Sequence, residues 1–191
     1  MIITKTPFRV SFFGGGTDYP DWYMKHGGAF LSMAIDKYCY LSIRHLPPFF
    51  SHKHRLVYSV IEMVSEINEF KHPVVRETLK WKGCDSGLEI HHDGDLPARS
   101  GLGSSSAFTV GFLHALSGLR GQLVQKRDLA EEAIYVEQKL LGETVGVQDQ
   151  IAAAYGGLNS VKIETTGLYS INPIMVTRDL LAEFDVVIWL E

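Results

Sequence analysis

Residues 96–116, LPARSGLGSSSAFTVGFLHAL, leave this chain fewer options than any other stretch. Two glycines and three serines stand directly against the start of a long apolar run. Residues 88–92 read as a strand, and Ser104 opens a helix that runs to residue 119 on the spacing of its apolar positions. Gly101 and Gly103 are the most flexible residues of the connection between them. Glycine also lets backbone N–H groups approach an anion without a Cβ in the way. The positive end of a helix dipole favours an anion at the same place. Gly101, Leu102, Gly103, Ser104, Ser105 and Ser106 therefore read as a cradle for phosphate groups. The loop is not of the GxxxxGK[ST] type, because the lysine is missing. Position 106 is serine where a dinucleotide-binding fingerprint needs glycine. The plainer reading of the same residues is a flexible turn ending in a serine helix cap.

The frame around this loop is that of an ordinary soluble domain. The chain has 191 residues, 46% of them hydrophobic and 21% charged, enough for one sizeable core. Its net charge of -4 speaks against a nucleic-acid partner, which needs a basic face. Cys39 and Cys84 stand far apart with no metal-binding spacing and read as free thiols in a reducing compartment. The N-terminus lacks the apolar stretch of a signal peptide, and no run approaches the roughly 18 apolar residues of a membrane span. A cytoplasmic location with no membrane partner is expected.

Strands are expected at 2–13, 28–35, 37–45, 56–60, 88–92, 158–163, 168–171 and 185–190, with a tight turn near Asp36-Lys37. Helices are expected at 73–81, 104–119, 128–141 and 145–155, the last ended by Gly156-Gly157. This order predicts an α+β fold, a two-layer α/β sandwich with helices on one face of a mixed sheet. The run 184–190 is strand-like and stops one residue later, so it reads as the first strand of a further domain. Domain boundaries of 1–184 and 185–191 follow.

Three further places carry chemistry. In RVSFFGGGTDY a strand runs into Gly14, Gly15 and Gly16 and then into Thr17 and Asp18, an acid placed to accept from sugar hydroxyls. The alternative is a plain glycine turn with Asp18 as a cap. Glu137 is the only carboxylate in the row Ala130, Ile134, Glu137, Leu141 and wants a metal or cation partner, unless it reaches solvent. Asp149, in GVQDQIAAA, has small and apolar neighbours and reads as a general-base candidate, or else as a first-turn acid on the helix dipole. His52, His54, His91 and His92 lack supporting ligands and read as loop or strand-end residues. Phe49-Phe50 read as a loop anchor or as the lining of an adenine pocket.

Together these segments resemble the N-terminal domain of the galactokinase–homoserine kinase–mevalonate kinase–phosphomevalonate kinase superfamily. The superfamily's phosphate motif is similar to Pro97-x-x-x-Gly101-Leu102-Gly103-Ser104-Ser105-Ser106-Ala107, and the matches keep the superfamily's order over nearly the whole chain. PFRVSFFGGGTDYPDWY resembles the signature of the D-glycero-D-manno-heptose 7-phosphate 1-kinases, with fucokinase-like members the nearest rival. The resemblance implies a ribosomal-S5-domain-2-like fold and transfer of the ATP γ-phosphoryl group to the anomeric hydroxyl of a heptose 7-phosphate. It implies that Gly101 to Ser106 hold the ATP phosphates and that Ser105 and Glu137 hold Mg²⁺. Asp149 takes or orients the hydroxyl proton, Arg9 offsets charge beside it, and Gly15, Gly16, Thr17 and Asp18 bind the sugar. Arg44, Arg99 and Lys37 are the candidates for the sugar's phosphate. A fucokinase- or galactokinase-like sugar 1-kinase and a silent ATP- or sugar-binding domain are the alternatives. An RNA-binding module of the same architecture is disfavoured by the charge. Full-length members carry a C-terminal domain, so the expected partners are a small sugar phosphate and that domain or a second copy.

Overall fold

The computed structural model describes residues 1–97 and 100–177. The expected strand at 185–190, the domain boundary at 184 and Arg99 lie outside the described residues. In chain order the elements are β1 Ile2–Phe13, α1 Pro20–His26, β2 Gly28–His45, β3 His54–Val57, β4 Ile61–Val64 and α2 Pro73–Trp81. They continue with β5 Leu88–Gly94, α3 Ser104–Leu119, α4 Lys126–Tyr135, α5 Gln148–Tyr155, β6 Leu158–Ile163 and β7 Tyr169–Pro173.

The strands form one seven-stranded sheet in the order β4-β3-β5-β2-β6-β7, with β1 on the other edge of β2. Among the described residues only β3 and β5 run parallel. The 18-residue β2 is the spine. It pairs with β1 from residue 31 to 43, while its opposite edge passes from β6, at 28–33, to β5, at 39–45. This overturns the expected turn near Asp36-Lys37. The ladder with β1 shifts register between Pro7, opposite Tyr38, and Arg9, opposite Ala34. The polar pair therefore marks a bulge beside a proline that has no N–H to give. The bend lets one strand serve two neighbours on one edge.

The expected strand at 56–60 is also redrawn. It is a hairpin of β3 and β4, with residues 58–60 as its turn, closed by the Tyr58 N–H to the Val60 carbonyl. The helix expected from 128 to 141 begins at Lys126, and from Val136 to Leu140 it widens to π-helical geometry. α1 was not expected. It is seven residues long and buries none of them, so no apolar period announces it.

α3 packs across the sheet and is buried nearly all round, with Phe112 and Leu113 fully covered. It lies close to β1 because Gly111 has no side chain. A Cβ there would stand 2.7 Å from Thr6 Oγ1, and the Thr4 hydroxyl donates to the Gly111 carbonyl at 3.1 Å. Leu41, Ile43 and Ile90 face this layer, and each such fully buried side chain is worth roughly 1.5–3 kcal/mol. The expected loop anchor of Phe49-Phe50 does not form: both rings are exposed. His54 is buried against Phe70, and His92 meets Phe108 edge-on. Among the described residues no helix is long and apolar enough to cross a membrane.

Candidate active site

The two glycine loops and the start of α5 converge at one end of β1. Arg9 joins them. Its Nε and Nη2 donate to the two oxygens of Asp149 at 2.8 Å each, and its Nη1 donates to the Gly101 carbonyl at 2.8 Å. Its backbone N–H donates to the Leu102 carbonyl at 3.1 Å. A planar guanidinium is suited to this bidentate grip. Gly101 and Gly103 both take positive φ, 76° and 75°. A Cβ on Gly103 would stand 3.2 Å from the Arg9 side chain, so glycine there leaves room for the Arg9–Asp149 pair.

The serine-cap reading of the loop is overturned. Gly103 is the cap residue of α3 and no side chain caps the helix. The first N–H groups of α3 therefore have no acceptor within the helix itself. Leu102 packs its side chain against the core.

Asp18 is 5% exposed and links two loops rather than standing free. Its Oδ1 accepts from the Gly16 N–H and its Oδ2 from the Gln148 N–H, both at 3.1 Å. It thus holds the glycine turn against the first residue of α5. Gly146 makes this possible, because a Cβ there would fall 1.8 Å from Asp18 Oδ2. Thr17 is separated from its neighbours. Its hydroxyl has one proton to share between the Gly14 and Ala29 carbonyls, both within reach, and accepts from the Ala29 N–H, so it serves the turn.

Glu137 sits in the π-helical turn, 1% exposed. Such turns recur at functional sites because they displace one side chain from the helical row. Its Oε2 accepts from the Ser106 hydroxyl at 2.9 Å and from the Gln150 side-chain amide. Its Oε1 is buried and has no partner among the described residues. Burial raises its pKa, against the pull of the Thr109, Ser106 and Gln150 side chains. Ser106, not Ser105, is the serine on Glu137. Ser105 is exposed, and its carbonyl accepts from Thr109.

A polar cavity of about 380 Å³ opens over these groups, lined by Arg9, Gly15, Gly16, Asp18, Ser105, Ser106, Glu137, Glu143 and Asp149 among others. A second, more apolar cavity of about 540 Å³ lies on the other side of the loop, walled by Phe8, Tyr58, His72, His92, Leu96 and Phe108. His72 stacks on Phe108 at 4.6 Å, with His92 edge-on to the same ring at 5.1 Å. Burial lowers the pKa of both imidazoles. Ser104 and Ser105 line the second cavity and Ser105 and Ser106 the first. Arg44 stands apart from both, paired with Glu89 in a small cavity that includes Met1 and His91. Lys37 lines neither of the two.

The family model of the GHMP kinases N terminal domain matches residues 55–157, more than half of the chain. The chain belongs to this family. It is 26% identical to a D-glycero-alpha-D-manno-heptose 7-phosphate kinase of Campylobacter jejuni, over 96% of this chain and 57% of that protein. It is 30% identical to a galactokinase of Thermotoga maritima, over 80% of this chain and 43% of that protein. A D-glycero-D-manno-heptose 1-phosphate kinase structure from Bacteroides thetaiotaomicron superimposes with a TM-score of 0.85 at 26% identity, covering 96% of this chain and 63% of that one. The chain spans about half the length of the curated relatives it matches.

Within this GHMP kinase N-terminal domain, sequence reasoning missed Gly146, Gln150 and the walls of the apolar cavity. Gly146 and Gln150 flank Asp149 closely, and the small-residue pattern of GVQDQ was a usable signal for them. Tyr58 comes from the β3–β4 turn, His72 from the residue before α2 and Phe108 from α3, and no local pattern joins them.

Proposed function

We propose that this chain forms the ATP- and sugar-binding half of a kinase that phosphorylates the anomeric hydroxyl of D-glycero-D-manno-heptose 7-phosphate. The observation that carries the reading is the position of the glycine–serine loop between an apolar, aromatic cavity and a polar, acidic one, with Ser105 on both. A nucleoside triphosphate laid across it puts its base among Phe8, His72 and Phe108, its phosphates over residues 101–106 and its γ-phosphoryl group toward Asp149. Asp149 then orients the sugar hydroxyl and receives its proton, as the hydroxyl oxygen bonds to phosphorus and the bond to the ADP oxygen breaks. Arg9 holds both oxygens of Asp149 in place, so the acceptor geometry exists before the substrate arrives. Gly15, Gly16 and Asp18 form the sugar wall, with Thr17 supporting the turn behind it.

The oxygen-rich donor set fits Mg²⁺, and the buried, unpartnered Oε1 of Glu137 is the atom that asks for a cation. Glu137 with Ser106 or Ser105 would hold it, and when bound it neutralises phosphate oxygens. Arg9 is the cation among the described residues lining the polar cavity, and it is committed to Asp149. The 7-phosphate of the sugar is therefore held by groups beyond this wall, and Arg44, paired with Glu89, lines a different cavity. The galactokinase likeness supports a second reading, in which the substrate is a free hexose.

The test is ATP- and Mg²⁺-dependent phosphorylation of heptose 7-phosphate, fucose, galactose and mannose by this chain and by Asp149→Asn. Turnover on heptose 7-phosphate, lost in the variant, is the expected result. Turnover on a free hexose alone overturns the substrate assignment, and turnover that survives in Asp149→Asn overturns the assigned role of Asp149.

A further inference from the structure

Two segments reach the apolar cavity from different parts of the chain, and one buried side chain ties them together. Glu62, in β4, is 7% exposed. Its Oε1 accepts from the Tyr58 hydroxyl at 2.9 Å and from the backbone N–H of His72 at 3.2 Å. Its Oε2 accepts from the Lys71 N–H at 2.6 Å. Tyr58 and His72 are both walls of the cavity, and their rings meet edge-on at 5.1 Å. His72 in turn stacks on Phe108 of α3, the helix that the phosphate loop opens. One carboxylate therefore ties Tyr58 to the segment that carries His72, and the His72–Phe108 stack carries that placement on to the helix behind the loop. A carboxylate suits the task because it offers two oxygens that accept several donors at once. Burial and the Glu62 carboxylate push the Tyr58 hydroxyl up to about 12, so it remains a donor.

We propose that Glu62 is a positioning residue for the nucleobase of the bound nucleotide, acting through Tyr58 and His72. The inference rests on the nucleotide reading given above. A base stacked in the cavity gains affinity only where the aromatic walls stand at the right separation, whereas the phosphates bind elsewhere on the loop. Glu62 thus affects the base and leaves the phosphates alone.

The experiment compares calorimetric binding of MgATP and of magnesium tripolyphosphate to the 191-residue chain, to Glu62→Gln and to Tyr58→Phe. The amide of Glu62→Gln keeps one acceptor oxygen and loses the other. The expected result is about tenfold weaker ATP binding in Glu62→Gln and about threefold weaker in Tyr58→Phe, with tripolyphosphate unchanged in both. Equal weakening of both ligands means that Glu62 merely holds the fold, and overturns the inference. So does unchanged ATP binding in a folded Glu62→Gln. Should Glu62→Gln fail to fold, Tyr58→Phe decides the matter on the same ratio, since it deletes only a hydroxyl. If the unmodified chain binds tripolyphosphate as tightly as ATP, the nucleotide reading of the cavity itself fails.

Discussion

Arg9 and Glu137 show how single residues in this site acquire their roles from distant partners. Arg9 is 140 positions from Asp149 in sequence, and the pair is partly buried, with side-chain exposures of 14% and 32%. Glu137 is more deeply placed, and its chemistry can be tested by pH. Its pKa in the folded chain is raised above the ordinary 4.5 by burial, so the folded chain holds this proton more tightly than the unfolded chain does. Ionising it as pH rises costs stability, and that stability is fully present only at low pH. Glu137→Gln should therefore unfold at a higher temperature than the unmodified chain near pH 8 without Mg²⁺, with the gain shrinking as pH falls toward about 4. A thermal melt across that range checks the sign, and a gain that grows with acid would contradict it. The same variant should lose Mg²⁺-dependent turnover.

At the scale of elements, the site is a junction of turns held by side chains that point inward. Asp18 bridges the triple-glycine turn and the first turn of α5, and Gly146 is the space it needs. Gly146→Ala would drive a Cβ into the Asp18 carboxylate, which can move aside only by giving up both bonds. A destabilisation on the order of 2–4 kcal/mol is expected, read in urea as a lower midpoint at unchanged slope. A change within about 0.5 kcal/mol would mean that the α5 turn relaxes freely and that Asp18 is not its anchor. Gly111 is a second such position, since α3 can approach β1 only without a side chain there. The π-helical turn after α4 belongs at this scale too, because it turns Glu137 onto Ser106 and Gln150.

Taken as a whole, the molecule places its two cavities on either side of one loop, so each ligand should protect a different set of amides. ATP with Mg²⁺ should slow hydrogen exchange at residues 58–60 and 101–106 together. A sugar substrate should slow it at 15–18 and 146–149. Protection by ATP confined to 101–106 would leave the apolar cavity without a nucleotide role. Protection of both regions by ATP alone would show that one ligand reaches across the glycine–serine loop.

Much of this architecture was legible in the chain itself, for a local reason. β1, α2, α3 and β6 follow from side-chain periods of 2 and 3.6, which depend only on neighbours along the backbone. The glycines and serines of the loop, and a family resemblance carried by ordered motifs, are equally local properties of residue type and sequence order. What the sequence determined by itself was therefore the strongly periodic elements and the identity of the loop at their meeting point, but not α1 or the β3–β4 hairpin, which carry no such period. The tertiary structure alone decided that β2 runs unbroken through Asp36-Lys37, because its two edges answer to three different strands. It alone chose Ser106 over Ser105 as the partner of Glu137, gave Asp18 a structural duty and sent Thr17 into the turn. It also moved Arg44 to another cavity and joined Tyr58, His72 and Phe108 into one wall. These outcomes depend on which donors meet which acceptors across long stretches of chain, and a buried polar group takes whichever partner the packing brings to it.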